Sequence, residues 1–282
     1  MEWRILISGK MDPYMNMALD EAIYLQVMKG ESLPTIRFYD WEPASFSCGY
    51  NQEIEKELDF ELLQRSEYGF VRRPTGGRMV LHEDEVTYAV ISKLEEKMAG
   101  SISDTYLKIG QALVAGLRNL GVEVDLARGE LSREEQKQAA NPCFTSSSRF
   151  ELTYRRKKIV GSAQTRNKTA FLQHGSILRV HNQKRVADFI PFISADERLR
   201  LSNLLERRTI SIEKILNRQF SFEEVVDSLI AGFKSDWQGD IFFLVDKPTI
   251  IEINSAKELS LKKYSTNQWN KKEIKTQKEF DI

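Results

Sequence analysis

Segments with the spacing of strands and segments with the spacing of helices are mixed along this chain without a regular alternation. A doubly wound parallel sheet needs a helix after nearly every strand, so this order favours an α+β fold. We predict mixed, largely antiparallel sheets packed against helices. With 282 residues, the chain is long enough to bury a large core.

The individual elements follow from hydrophobic periodicity and turn residues. The predicted strands cover 3–7, 35–39, 45–50, 69–72, 79–82, 85–92, 150–154, 158–166 and 171–180. The predicted helices cover 14–28, 58–66, 103–120, 186–193, 196–206, 211–215 and 221–235. A Lys/Glu-rich helix and a polar tail follow Pro248, so we divide the chain into a domain of residues 1–245 and a helical C-terminal extension, 246–282.

Composition excludes several classes of function. Lys plus Arg and Asp plus Glu both number 41, so the balanced charge provides no general attraction to nucleic acid or to an anionic membrane. No apolar run approaches the roughly 20 residues of a membrane span, and the first residues lack the apolar core of a signal peptide. The two cysteines and three histidines show no zinc spacing. We expect a cytoplasmic protein without a structural metal.

The strongest local motif is the segment 72–82, Arg-Arg-Pro-Thr-Gly-Gly-Arg-Met-Val-Leu-His. Two adjacent glycines after a strand allow positive φ and a close approach of backbone to ligand. The arginines on both sides can meet a negative charge or a polar acyl head. A plain hairpin turn is the alternative interpretation.

A candidate nucleophile lies farther along. Cys143 sits in a polar stretch ahead of a predicted hairpin, and Lys158 follows fifteen residues later. Because the thiolate is the nucleophile and a nearby ammonium favours it, such a pair could attack an acyl thioester. Alternatively, Cys143 is an ordinary loop residue, and Lys157 competes with Lys158. Cys48 lies in an apolar strand, where we expect a small buried hydrophobe.

Four stretches, in this order, resemble the biotin and lipoate protein ligase superfamily, which includes octanoyltransferases. They are 16–22, 72–82, 160–166 and 172–178. Within that superfamily the chain resembles the cysteine-type octanoyltransferases, because Arg78 stands where lipoate ligases typically carry a third glycine. The resemblance implies the biotin/lipoate ligase catalytic-domain fold for residues 1–245.

The resemblance also implies a function in lipoate biosynthesis. Cys143 would take octanoyl from octanoyl-acyl carrier protein as a thioester and pass it to a lysine of a lipoyl-type domain, with the small glycine-cleavage H protein as the expected acceptor. Lys158 would stabilise the thiolate. Passing from thioester to amide is downhill, so neither ATP nor a bound cofactor is required.

The family motifs place further residues near the substrate. The positions expected to bind it are Arg73, Gly76, Gly77, Arg78, His82, Gly161, Gln164, His174 and Gly175. For His82 and His174 we expect pocket lining rather than catalysis. We predict an apolar tunnel for the octanoyl chain around Val80, Val160 and Ile177.

Three other functions stay open. An ATP-dependent lipoate ligase would act on the free acid, and an amidotransferase would move octanoyl between lipoyl domains. A noncatalytic interaction module would not become acylated at all. The basic run 155–158 is either a solvated hairpin turn or a contact for acidic acyl carrier protein.

Overall fold

The computed structural model describes residues 1–128, 150–239 and 241–271. The described strands are β1 (Glu2–Met11), β2 (Thr35–Trp41), β3 (Ser45–Cys48), β4 (Gly69–Arg72), β5 (Val80–His82), β6 (Glu85–Lys93), β7 (Asp125–Arg128), β8 (Phe150–Tyr154), β9 (Lys157–Arg166), β10 (Ala170–Leu178) and β11 (Phe242–Asp246). The described α-helices are α1 (Pro13–Lys29), α2 (Phe60–Gln64), α3 (Ile102–Asn119), α4 (Ala195–Arg208), α5 (Ile212–Leu216), α6 (Phe222–Asp236), α7 (Ile250–Leu259) and α8 (Asn267–Asn270).

The strands form two sheets. Eight strands make a mixed sheet in the order β11-β1-β2-β6-β10-β9-β8-β7, and β4-β3-β5 make a smaller one. In the large sheet β1 runs parallel to β2 and β11, and the other neighbours are antiparallel. The predicted α+β fold with largely antiparallel sheets is confirmed.

Different helices cover the two faces of the large sheet. Because side chains alternate along a strand, β2 sends Ile36 and Phe38 to one face and Tyr39 and Trp41 towards the other. The first face packs against α3 and α6 in the main core. The second face packs partly against α1, and the part that α1 leaves open borders the pocket described below.

Helix α3 has both sequence features that predict a helix, a capping motif and an apolar stripe. Ser101 caps its first turn and forms a capping box with Asp104, and its apolar stripe turns Ile109 and Leu113 into the main core. In the described part of the chain, no helix combines the length and the apolar content that a membrane span needs.

The C-terminal residues contact both α1 and the smaller sheet. Helix α7 packs against α1, and Glu252 forms a buried ion pair with Arg4 of β1. Farther on, the Trp269 indole donates a hydrogen bond to the Arg72 carbonyl at 2.8 Å. The Arg72 guanidinium in turn donates to the Asn270 carbonyl at 3.0 Å. The division into domains at 245/246 stays a prediction.

Candidate active site

A pocket opens on the α1 face of the large sheet, beside the loop that joins β4 to β5. Strands β2, β3, β5, β6, β9 and β10 contribute to its wall, together with α1 and that loop. The residues around it are Met17, Tyr39, Trp41, Ser47, Arg73, Gly77, Arg78, Val80, His82, Thr87, Lys158, Gly161, Ser162, Ala163, His174, Gly175 and Ser176. Segments more than 150 positions apart in the chain therefore meet at one cavity.

The pocket collects most of the candidate residues of the sequence analysis. Those along its wall are Arg73, Gly77, Arg78, His82, Lys158, Gly161, His174 and Gly175. Gly76 and Gln164 do not line it. The Gln164 amide nitrogen instead donates to Thr105 Oγ1 at 2.9 Å. Cys143 lies outside the described residues. The proposed roles of all these residues stay predictions.

Arg73 shapes the loop from within. Its guanidinium is buried and donates to the backbone carbonyls of Gly76 at 2.8 Å, Arg78 at 2.7 Å and Ser47 at 3.0 Å. Gly77, at φ 94°, supplies the left-handed conformation that this turn requires. The loop is therefore held by its own arginine rather than by a regular hairpin turn.

His174 connects the loop to a buried carboxylate. Its Nδ1 lies 3.1 Å from Asp20 Oδ2 and its Nε2 lies 2.7 Å from Thr75 Oγ1. Burial favours the neutral form of Asp20, but Arg37 and the bond to His174 outweigh it and hold the pKa of that carboxyl below its usual value. Burial lowers the pKa of His174, against the opposing influence of Asp20. A neutral imidazole then donates from Nδ1 to Asp20 and accepts from Thr75.

His82 makes a second hydrogen-bonded chain of the same kind at the pocket. Its Nδ1 lies 2.7 Å from Glu85 Oε1, and its Nε2 lies 2.7 Å from Ser47 Oγ. Its ring stacks on Trp41 with 4.0 Å between centroids. Ser47 Oγ also accepts from Arg73 at 3.0 Å, so this chain too ends on the loop. Both histidines line the pocket, where His174 contacts the loop directly at Thr75 and His82 contacts it through Ser47 and Arg73.

Lys158 is the one lysine among the described residues of the pocket wall. It is buried, and its Nζ lies 2.9 Å from Glu151 Oε1 on the neighbouring strand β8. Lys157 is half-buried and does not line the pocket. No motif in the sequence marked Glu151 as part of the site. The hairpin pairing of β8 with β9 was the signal that could have revealed it, because paired strands bring such side chains together.

The tunnel for the octanoyl chain stays a prediction, and one of the three residues expected around it lies on the pocket wall. Val80 lines the pocket, but Val160 and Ile177 do not. These two residues are paired across β9 and β10 and both turn into the main core on the opposite face. The prediction was wrong for them because it ignored which side of the sheet each residue faces.

The described residues offer no obvious metal centre. Among residues 1–128, 150–239 and 241–271, no three or more His, Cys, Asp or Glu side chains are grouped so that they could hold an ion. The buried carboxylates near the pocket form ion pairs or hydrogen bonds with neighbouring side chains instead. Asp20 pairs with Arg37 at 2.7 Å, and Glu85 accepts from Thr87 at 2.5 Å and from Ser176.

The approach of Gly49 to the loop gives a first prediction. A Cβ on Gly49 would overlap the carbonyl of Gly77, whereas one on Gly76 would meet nothing within 4 Å. Gly49→Ala should therefore displace the loop and cost about 1–3 kcal/mol of stability, as overpacking usually does. Thermal unfolding should show a clearly lower Tm for Gly49→Ala than for Gly76→Ala. Equal melting temperatures would contradict the close packing of these two backbones.

Cys48 gives a second prediction. Its side chain is fully buried, and burial raises the pKa of its thiol to about 11, although Arg72 and Arg73 act in the opposite direction. Only the thiolate reacts with iodoacetamide, so at pH 8 we expect labelling at least about 100-fold slower than for an ordinary thiol. Peptide mapping should find Cys48 unmodified in the folded protein and modified after unfolding in guanidinium. Rapid labelling before unfolding would show that the site is open.

The chain is similar in sequence to known proteins. It matches the family model of the lipoyl protein ligase A/B catalytic domain over residues 12–234. The octanoyltransferase LipM of Moorella thermoacetica is 40% identical over 272 residues, which cover 96% of this chain and 98% of the relative. The octanoyltransferase LipM of Brevibacillus brevis is 38% identical over 277 residues, 95% and 98% of the two chains.

The fold is also similar to that of solved structures. A chain in the structure of a bipartite lipoate protein ligase and its E2 lipoyl domain, from Thermoplasma acidophilum, superposes with a TM-score of 0.79. It is 28% identical, and the match covers 96% of both chains. The two relatives that are similar in sequence are thus named octanoyltransferases, whereas the structure with the similar fold comes from a lipoate protein ligase system.

Proposed function

The chain belongs to the lipoyl protein ligase A/B catalytic-domain family, and we propose that it is an octanoyltransferase that works through a thioester on Cys143. The donor is octanoyl-acyl carrier protein, and the acceptor is a lysine of a lipoyl-type domain such as the glycine-cleavage H protein. The observation that carries this proposal is the position of Lys158, a buried ammonium on the wall of the pocket that the glycine loop also lines.

The chemistry balances without an added energy source. The Cys143 thiolate attacks the thioester carbonyl, the carbon–sulfur bond to the carrier breaks, and the carrier thiolate leaves and takes up a proton. The neutral amine of the acceptor lysine then attacks the acyl-enzyme. An amide bond forms, the amine loses a proton, and Cys143 leaves as the thiolate, ready for the next donor.

Lys158 favours the thiolate in both steps. An ammonium near a thiol lowers the cost of ionising it, and the buried position of Lys158 limits screening by water. Glu151 fixes the Lys158 side chain, because the two groups form an ion pair at 2.9 Å with little exposure. We therefore assign Glu151 the role of a positioning residue for Lys158.

Arg78 supports transfer rather than ATP-dependent ligation. Its side chain lines the pocket, and its Nη1 forms an ion pair with Glu57 at 3.2 Å. A guanidinium therefore stands in the loop where lipoate ligases typically have a glycine, and it fills space that a glycine would leave open. The full-length relatives named as octanoyltransferases support the same choice.

The proposal is tested by the choice of donor. Purified protein and a lipoyl-type acceptor are incubated with octanoyl-acyl carrier protein alone, with octanoate plus ATP, or with an octanoylated lipoyl domain. The mass of the acceptor is then measured. We expect octanoylation with the first donor and none with octanoate plus ATP. Modification only with ATP would establish a ligase, transfer only from the lipoyl domain an amidotransferase, and no modification a noncatalytic module.

The same chemistry supports the cytoplasm as the location. A cysteine nucleophile must stay reduced between turnovers, and the cytoplasm maintains thiols in that state. Nucleic acid and membrane are not among the partners that we propose.

A further inference from the structure

The turn between β8 and β9 has an unusual composition. Tyr154 pairs with Lys157, so Arg155 and Arg156 form a two-residue turn, and both have positive φ, 47° and 65°. Asn-Gly is the usual sequence for such a turn, because most side chains disfavour this conformation. Two arginines at these positions therefore raise the backbone strain of the turn. Strain of this kind tends to persist where the residues serve a function.

The two arginines are available to a partner. Both are exposed, and among the described residues no carboxylate forms an ion pair with either. The Arg155 guanidinium lies over the Tyr154 ring at 5.3 Å. Arginine forks bind carboxylate and phosphate oxygens in pairs, so an exposed arginine tip suits an anionic partner.

The chain that follows α4 adds positive charge beside the tip. Thr209 forms a parallel bridge to Lys158, and the Ile210 N–H donates to the Lys158 carbonyl at 3.0 Å. The end of α4, which carries exposed Arg207, therefore lies near β9. Lys214 and Lys157 both lie close to His181, because they add to the effect of burial in lowering the pKa of that histidine, and Glu206 opposes them.

We call Arg155, Arg156, Lys157, Arg207 and Lys214 the basic hairpin surface. Glu206 is the acid within it, paired with Lys214 at 3.3 Å.

The basic hairpin surface adjoins the pocket. Lys158 lies on the pocket wall only two positions after Arg156, which is about 7 Å along a strand. A protein held at the tip could therefore extend a flexible arm into the cavity.

We propose that the basic hairpin surface docks the acidic face of the carrier protein that delivers the acyl thioester. This proposal rests on the proposed function and names the place where its donor binds. The donor fits better than the acceptor because its acyl group rides on a pantetheine arm joined through a phosphate. Arg155 and Arg156 can hold that phosphate, whereas the lysine arm of the acceptor carries no anion.

The test replaces the turn without disturbing the hairpin. The double variant Arg155→Asn/Arg156→Gly has the preferred turn sequence, so we expect an equal or higher Tm. Its kcat/KM for octanoyl-acyl carrier protein should fall roughly 10- to 100-fold, mainly through KM, and should lose much of its salt dependence. With octanoyl-pantetheine, which has neither the acidic protein nor the phosphate, the rate should be unchanged.

A matched control removes two positive charges elsewhere. Arg118 of α3 and Lys234 of α6 are exposed on the helices that cover the opposite face of the sheet. The variant Arg118→Gln/Lys234→Gln has the same net charge as the turn variant, and its rates with both donors should match those of the wild type. A similar loss of rate with the carrier protein would mean that only net charge matters and would overturn the docking site.

Other outcomes separate the two proposals. If the wild type uses both donors and the turn variant keeps its rate with the carrier protein, the docking proposal fails while the proposed function stands. If the turn variant raises KM for the acceptor alone, the basic hairpin surface binds the acceptor, and the docking proposal is also overturned. If the wild type transfers octanoyl from neither donor, the proposed function itself fails.

Discussion

Replacing Cys143 with alanine should abolish octanoyl transfer, with a loss of at least about 1,000-fold in rate. The reason is that the acyl group has no other proposed attachment point on the enzyme. Cys143→Ser should be nearly as inactive, because a hydroxyl ionises far less readily than a thiol. The rate is measured as octanoylated acceptor formed per minute from octanoyl-acyl carrier protein.

Cys48 provides the control for this result. It is buried in β3, and its thiol stays protonated near neutral pH. Cys48→Ala should retain transfer if the protein folds, which a melting curve establishes. Substantial transfer by Cys143→Ala would contradict the thioester mechanism.

Replacing Lys158 with methionine should lower the rate of transfer roughly 10- to 100-fold near neutral pH, because the Cys143 thiolate loses its stabilising charge. Raising the pH to 9 should restore part of the activity, since more thiol then ionises. Lys157→Met is the matched control when octanoyl-pantetheine is the donor, because Lys157 does not line the pocket and this donor bypasses the basic hairpin surface. A large loss in Lys157→Met, or an unchanged pH profile in Lys158→Met, would show that the wrong lysine was assigned.

Stability has to be separated from catalysis in this experiment. Lys158→Met removes the ammonium that pairs with the Glu151 carboxylate in a nearly buried site, which costs up to about 3 kcal/mol. The double variant Lys158→Met/Glu151→Gln removes both charges and should recover much of the Tm. Because it lacks the ammonium, it should stay as slow as the single variant. Recovery of the rate together with the Tm would assign Lys158 a structural role only.

Much of the fold could be read from hydrophobic spacing. Helix α3 was predicted to within one residue at each end, because its apolar stripe and its stop at Gly121 are both clear. Strands β7 and β11 were missed. Both are edge strands of four or five residues, and most side chains of β11 are exposed, so no alternation of apolar and polar residues marks it.

Site residues that belong to a local motif could be predicted from the sequence, whereas residues that join the site through tertiary contacts could not. The glycine loop, His82 and His174 have local sequence signals, and the structure brings them to one pocket. Asp20 lies within the motif 16–22, but nothing in that motif connected it to His174, which is 154 positions away. Glu85 is close in sequence to His82, but no motif marked it, and their contact depends on how the chain turns between β5 and β6. Local spacing does not encode such side-chain contacts.

The most direct test of the central claim is the intact mass of the protein after incubation with octanoyl-acyl carrier protein, without ATP and without acceptor. We predict the addition of a single octanoyl group, about 126 Da, at Cys143, released by hydroxylamine because it is a thioester. The adduct should disappear when a lipoyl-type domain is added and takes up the acyl group. An unmodified mass under these conditions, together with octanoylation of the acceptor only from octanoate and ATP, would contradict the proposed mechanism.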